Sequence, residues 1–300
     1  LSLLPDVENA KETAETIIGR VEGETGKCAS LVMDATFEGA IQQELIDLGI
    51  EEAVAKRILG YAESSAKADT DRTTFQAMEA LVHNLNTMHS RAGAQTPFSS
   101  INYGMDTSAE GRMVIKNILL ATEEGLGSGE TPIFPVQIFR VKEGVNYNPG
   151  DPNYDLFKLA MRCSAKRLFP NFSFVDAPFN LQYYKGTPET EISYMGCRTR
   201  VMGNVYDPSR EITTGRGNLS FTSINLPRLA IRSKGDRDLF FDLLDAKLAL
   251  VVGQLDERFK IQASKHVYNA PFLMGQGVWI DSEKLSMNDT QEEVLKHGTL

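Results

Sequence analysis

The sequence predicts an α/β fold, and three observations carry that prediction. Helical periodicity dominates the first seventy residues or so. From Pro97 onward, short β-branched or aromatic runs bounded by Gly, Pro, Asn or Asp alternate with helical stretches. The chain's 300 residues, 42% hydrophobic and 24% charged, supply enough apolar surface for a large core. Strand–helix alternation implies parallel pairing through crossovers, hence an open sheet or a barrel flanked by helices.

Taken in order, residues 8–21, 37–48 and 51–64 are rich in Ala, Glu, Leu and Ile at 3.6-residue spacing and read as helices. A charged link at 67–72 leads into a longer helix over 73–89. There Phe75, Met78, Leu81, Val82 and Leu85 form one apolar stripe expected to pack in the core. Residues 97–103, 133–141, 172–175, 218–226 and 267–273 read as strands, with helices at 108–124, 154–168 and 236–259. The Asn/Gly/Asp/Pro cluster at 146–153 reads as a turn whose final residues cap the next helix. Residues 1–72 thus form a helical segment of the same domain as the α/β portion at 73–300. Both ends read as cut from a longer protein.

A net charge of −9 argues against sequence-independent binding to nucleic acid, which needs clustered Lys and Arg. A single triphosphate needs only a few cations and backbone amides. Cys28, Cys163 and Cys197 lack CxxC spacing, so neither a zinc cage nor a disulfide framework is expected, and a reducing cytoplasmic setting is the default. No apolar run approaches the ~20 residues of a membrane span. His83 and His89 are six apart rather than four, which disfavours a shared metal, and no metal is expected. The run Gly125-Leu126-Gly127-Ser128-Gly129 follows a helix and precedes a strand, the reverse of a dinucleotide fingerprint.

The most informative stretch is Tyr194-Met195-Gly196-Cys197-Arg198-Thr199-Arg200, followed by Gly215-Arg216-Gly217-Asn218. Cys197 lies between regions that read as strands, flanked by Gly and Arg, with no apolar periodicity to hide it. Nearby cations favour thiolate over thiol. A buried, inert thiol on a connecting loop is the alternative.

Five groups of strings occur in this order: His83-Asn84-Leu85-Asn86 through Ser90-Arg91-Ala92-Gly93-Ala94-Gln95, Pro97-Phe98-Ser99-Ser100-Ile101-Asn102-Tyr103-Gly104, Gly150-Asp151-Pro152-Asn153-Tyr154-Asp155, Met195-Gly196-Cys197-Arg198-Thr199 and Gly215-Arg216-Gly217-Asn218. Together they resemble the catalytic barrel of the anaerobic (class III) ribonucleoside-triphosphate reductases, from about Thr73 to about Trp279. The resemblance implies part of a ten-stranded α/β barrel of the ribonucleotide reductase/pyruvate formate-lyase type. A finger loop would thread its centre with Cys197 at the tip, and the first and last strands would lie outside this chain. It implies reduction of ribonucleoside triphosphates to 2′-deoxyribonucleoside triphosphates. Cys197 would be the thiyl residue, oxidised by a glycyl radical housed in a C-terminal region that this chain lacks. Asn218 and Met195 match positions near that cysteine in members that use formate as reductant. The second cysteine of those members has no counterpart here: Cys28 lies in the poorly matching N-terminal portion, and Cys163 falls on the apolar face of its helix.

For substrate, Ser99, Ser100 and Asn102 stand at an otherwise apolar strand entrance and Arg91 at a helix end. Contact with phosphate or ribose, and capping or turn roles, both fit these positions. The resemblance further implies ATP/dNTP effectors, a radical-SAM activating enzyme and a homodimer joined through the N-terminal helices, whose 37–64 portion is more apolar than a solvent-facing pair needs. An isolated segment of this kind is expected to be inactive. Other glycyl-radical enzymes are the competing class. The formate-lyases carry two adjacent cysteines at the loop tip, whereas Cys197 has Gly196 and Arg198 beside it. The dehydratases do not share the Met-Gly-Cys-Arg-Thr and Ser-Arg-Ala-Gly strings. A nucleotide-binding or dimerisation fragment with an inert Cys197 is the non-enzymatic alternative.

Overall fold

A computed structural model describes residues 10–28, 30–89, 93–196 and 199–299. The chain divides into two compact units, Leu1–Phe174 and Val175–Leu300. In the first, α1 (Ala10–Thr25), α2 (Ala35–Asp47) and α3 (Glu52–Thr87) precede β1 (Ser100–Tyr103), α4 (Ala109–Glu124), β2 (Val136–Val141), α5 (Tyr154–Arg167) and β3 (Asn171–Phe174). The charged link expected at 67–72 does not interrupt the helix, and the division expected after residue 72 falls inside α3. No Gly or Pro stands among those residues, and side-chain pairing offsets the low helix propensity of Asp69, Thr70 and Asp71. Lys67 pairs with Glu63, Arg72 with Asp69, and Asp71 accepts from Lys116 and Asn117 of α4. Along the expected stripe Val82 is buried, whereas Leu81 is exposed.

The strands pair in parallel in the order β1–β2–β3, with Tyr103 opposite Phe139 and Phe139 opposite Phe172. Alternation sends Ile101 and Tyr103, Gln137, Phe139 and Val141, and Phe172 to one face. Helices α4 and α5 cover this face through Ile115, Leu119, Leu156, Ala160 and Cys163. The Tyr103 hydroxyl donates to Gln137 Oε1 at 2.6 Å, and Gln137 Nε2 donates to Thr122 Oγ1 at 2.7 Å, so the polar groups entering this core are satisfied. Ser100, Asn102, Val136, Ile138, Arg140 and Ser173 occupy the opposite face.

The turn cluster at 146–153 does more than cap. Asn153 stands at the N-cap position of α5 but makes no side-chain cap. Its carboxamide donates to the carbonyls of Gly104 (3.2 Å) and Asp106 (2.7 Å). Asn146, also fully buried, donates to Gly104 and Arg140, both at 2.9 Å. The two amides tie together the segments leaving β1 and β2, a task that composition could not distinguish from turn formation.

The second unit holds α6 (Pro178–Leu181), an antiparallel hairpin of β4 (Ser193–Met195) and β5 (Thr199–Val201), α7 (Leu226–Ser233), α8 (Arg237–Ala263) and α9 (Glu292–Leu295). Two expected strands are absent from it. Residues 218–226 form only a bridge from Asn218 to Thr299 before Asn225 caps α7. Side chains of α8 take up the acceptors of that segment: Arg258 reaches Ser220 Oγ, the Phe221 carbonyl and Thr222 Oγ1, and Gln262 reaches the Leu219 carbonyl. Residues 267–273 begin with a 3-10 turn, Val267–Asn269, in which Asn269 Oδ1 accepts from the His266 amide; Pro271, which lacks an amide donor, follows. The core here gathers Val267, Met274, Trp279, Ile280, Val294 and Leu295.

Candidate active site

In the β4–β5 hairpin, Met195 pairs with Thr199, Tyr194 with Arg200, and Ser193 with Val201. Gly196 ends β4 with φ of 58°, a left-handed conformation that glycine adopts without a Cβ penalty. Cys197 and Arg198, the next two residues in sequence, lie outside the described residues, as does Arg91. Arg200, expected from sequence as a cation flanking the cysteine, is engaged elsewhere. It donates to Asn180 Oδ1 at 2.9 Å, and its guanidinium sits 4.9 Å from the centre of the Phe179 ring.

Asn218 arrives at this hairpin from the segment 215–219, which is stitched to two other stretches. The Gly215 carbonyl accepts from the Ile280 amide at 2.7 Å, Gly217 accepts from Thr299 at 3.0 Å, and the Leu219 amide donates back to Thr299 at 2.8 Å. Gly217 passes so close to the Trp279 ring that a Cβ there would lie 2.9 Å from Cζ3. The exposed carboxamide of Asn218 points Nδ2 toward Thr199 Oγ1 at 3.4 Å. Met195, Thr199 and Asn218 are therefore brought together. Ser99, Ser100 and Asn102 belong to the other compact unit. Ser99 is half-buried, with its hydroxyl 3.4 Å from the Pro97 carbonyl. Ser100 and Asn102 share the sheet face that α4 and α5 leave uncovered.

The two cysteines among the described residues fall into different settings. Cys163 is buried beneath α4, and burial, with Glu123 nearby, pushes its thiol up to about 11. This is the inert, structural thiol expected from its place on the apolar face of α5. Cys28 is exposed. Among the described residues no cluster of three or more His, Cys, Asp or Glu could hold a metal ion, and no helix is long and apolar enough to cross a membrane.

A second polar cluster in the same unit has no counterpart in the sequence reading. Arg210 grips Asp281 with two nitrogens at 2.6 and 3.1 Å, Lys284 adds a contact at 2.8 Å, and His297 Nε2 lies 3.5 Å away. Hydrogen bonds from Arg210 and Lys284 hold the Asp281 carboxyl well below the usual carboxylate range. The cluster borders a cavity of about 300 Å³ that Tyr206, Asp207 and Glu293 also line. Arg210 lies 71 positions before Asp281, so no local motif reveals the cluster.

Residues 29–300 match the family model of anaerobic ribonucleoside-triphosphate reductases. The chain belongs to this family. It is 34% identical over 238 residues to the anaerobic ribonucleoside-triphosphate reductase of Escherichia coli strain K12, covering 79% of this chain and 32% of that protein. The enzyme of the same name from Haemophilus influenzae is 35% identical over 237 residues, again covering 79% and 32%. The one from Enterobacteria phage T4 is 33% identical over 245 residues, covering 80% of this chain and 39% of the relative. The chain therefore spans about a third of the length of these curated relatives.

Proposed function

We propose that this chain is part of an anaerobic ribonucleoside-triphosphate reductase that replaces the ribose 2′-hydroxyl by hydrogen through thiyl chemistry at Cys197, with formate as reductant. The observation that carries the reading is the convergence of Met195, Thr199 and Asn218. In sequence Met195 and Thr199 bracket Cys197, and Asn218 Nδ2 stands 3.4 Å from Thr199 Oγ1. In the overall reaction formate, one proton and the nucleotide give the deoxynucleotide, carbon dioxide and water. A glycyl radical elsewhere in the protein supplies the unpaired electron to the Cys197 sulfur. Cys197 then takes the hydrogen atom from C3′, which lets water leave C2′, and later returns a hydrogen atom to C3′. The carboxamide of Asn218 can donate to the 2′ or 3′ oxygen or orient formate without itself titrating, and the Met195 thioether offers a neutral, polarizable neighbour.

The consecutive strand order, with both crossover helices on one face, supports reading β1–β3 as part of a ten-stranded barrel with a central finger loop. Ser99, Ser100, Asn102 and Arg91 would contact ribose or phosphate. The helical segment 1–72 would serve the homodimer and the ATP/dNTP effectors, and a radical-SAM partner would install the glycyl radical. The test uses the whole reductase. Cys197→Ser should abolish nucleotide reduction while glycyl-radical formation persists, since that radical forms first. Labelled formate should appear as carbon dioxide in step with the deoxynucleotide. Turnover well above background in Cys197→Ser removes the thiyl role, and equal activity with thioredoxin alone removes formate.

A further inference from the structure

Asn218 is exposed, and its carboxamide makes a contact of 3.4 Å, too long to hold the group by itself. Its placement must come from the backbone. The residue two before it supplies that restraint. Arg216 Nε donates to the His297 carbonyl at 2.8 Å, Nη1 to Met202 at 2.8 Å, to Gly203 at 3.2 Å and to Ile212 at 3.3 Å, and Nη2 to Gly203 at 3.2 Å. The acceptors fall on either side of Asn218. Met202 directly follows β5, the strand that begins with Thr199. His297 lies two residues before Thr299, which brackets Asn218 through its bonds to Gly217 and Leu219.

We propose that Arg216 is a positioning residue whose guanidinium locks the exit of the β4–β5 hairpin to the strand-like partner of Asn218, so that the carboxamide is held at Thr199. The inference rests on the role given to Asn218 above. A planar fork with five N–H donors can bind four carbonyls on three separate segments at once. A lysine, with a compact ammonium, cannot reproduce that spread. Every acceptor is a backbone carbonyl, so the fork secures chain geometry rather than pairing a charge. The glycines at 215 and 217 let the backbone carrying Arg216 close down on Ile280 and Trp279.

The test compares Arg216→Lys, Asn218→Ala and the double variant in the whole reductase. Arg216→Lys should speed amide hydrogen exchange at Leu219 and Thr299. It should lower kcat by about a hundredfold, the effect of displacing a reacting group by roughly 1 Å, with KM little changed. In the Asn218→Ala background the same change should cause no further loss, because the group being positioned is already gone. Additive losses, or a wild-type kcat in Arg216→Lys beside an impaired Asn218→Ala, overturn the inference while leaving the Asn218 reading intact. Wild-type turnover in Asn218→Ala overturns that reading and this inference with it. Hydrogen exchange is measured on unactivated protein, so unchanged exchange in Arg216→Lys overturns the clamp even where activation fails.

Discussion

Asn204 and His297, 93 residues apart and both buried, meet with Nδ2 of the amide 2.8 Å from Nδ1 of the ring. The amide orientation is set independently, because Asn204 Oδ1 accepts from the Asp207 amide at 3.1 Å. An amide nitrogen can only donate, so Nδ1 must accept and the imidazole is neutral with its proton on Nε2, toward Asp281. Protonating Nδ1 would set donor against donor. Burial lowers the pKa of His297, and the nearby Arg210 and Arg216 act in the same direction. Asp281, the strongest of the charged neighbours, and Asp207 act in the opposite direction, but burial outweighs them and the net shift is downward.

Stability should therefore fall in mild acid. The folded-state pKa of His297 lies below the ordinary 6.5, so as pH drops the unfolded chain binds the extra proton first. The contribution is fully present above about 6.5 and is lost progressively as pH falls toward the folded value. Melting temperatures of the whole protein between pH 8 and pH 5 should decline, and His297→Gln should remove that component. An identical slope in the variant rejects the assignment.

Asn204→Asp should reverse the effect. A carboxylate at that position accepts from a protonated Nδ1 and adds a negative charge, so the His297 pKa should rise above its wild-type value. Titration of the imidazole resonances by NMR reads this directly. A pKa that stays put or moves down contradicts the donor–acceptor account.

Asn146→Ala should destabilise the first unit. It removes one of the two amide donors to the Gly104 carbonyl, the donation to the Arg140 carbonyl, and the acceptor at 2.9 Å from the Lys142 amide. Each of the three hydrogen bonds lost contributes about 0.5–1.5 kcal/mol. Urea denaturation should show a loss of at least about 1.5 kcal/mol. A loss within about 0.5 kcal/mol, as at an ordinary surface site, is the contrary result.

Thiol labelling should separate Cys28 from Cys163. Cys163 is buried, with its thiol pushed up to about 11, so at pH 8 roughly one molecule in a thousand carries the thiolate. Iodoacetamide followed by peptide mapping should modify Cys28 rapidly and leave Cys163 untouched until the protein unfolds. Comparable rates at the two positions would show that the first unit opens on the labelling timescale.

The N-terminal helices should mediate self-association of the whole reductase. Leu48 and Tyr61, the first just past α2 and the second on α3, are both at least half exposed at 59% and 50%. Light scattering should report a dimer, and Leu48→Glu with Tyr61→Glu should weaken it. A monomer that still responds to effector deoxynucleotides would place the effector site away from any such contact.

Sequence alone determined the alternation of β1, α4, β2, α5 and β3, because the strand runs are short and β-branched or aromatic, the helix runs carry a 3.6-residue period, and turn residues bound them. It also marked Cys163 as structural from its place on one helix face, whereas Met195, Cys197 and Asn218 were singled out through the resemblance of their strings to the reductase family. Where the reading failed, the deciding contacts were distant. Residues 218–226 have strand propensity, yet Arg258 and Gln262 of α8 occupy their acceptors. Asn153 has a cap residue's identity, yet its amide is drawn to the carbonyls of Gly104 and Asp106 just past β1. The Arg216 fork and the pairing of His297 with Asn204 join positions 4 to 93 residues apart. Local periodicity reports which face of an element is apolar. Which carbonyl a given arginine or amide will meet depends on where the chain returns, and only the tertiary structure decides that.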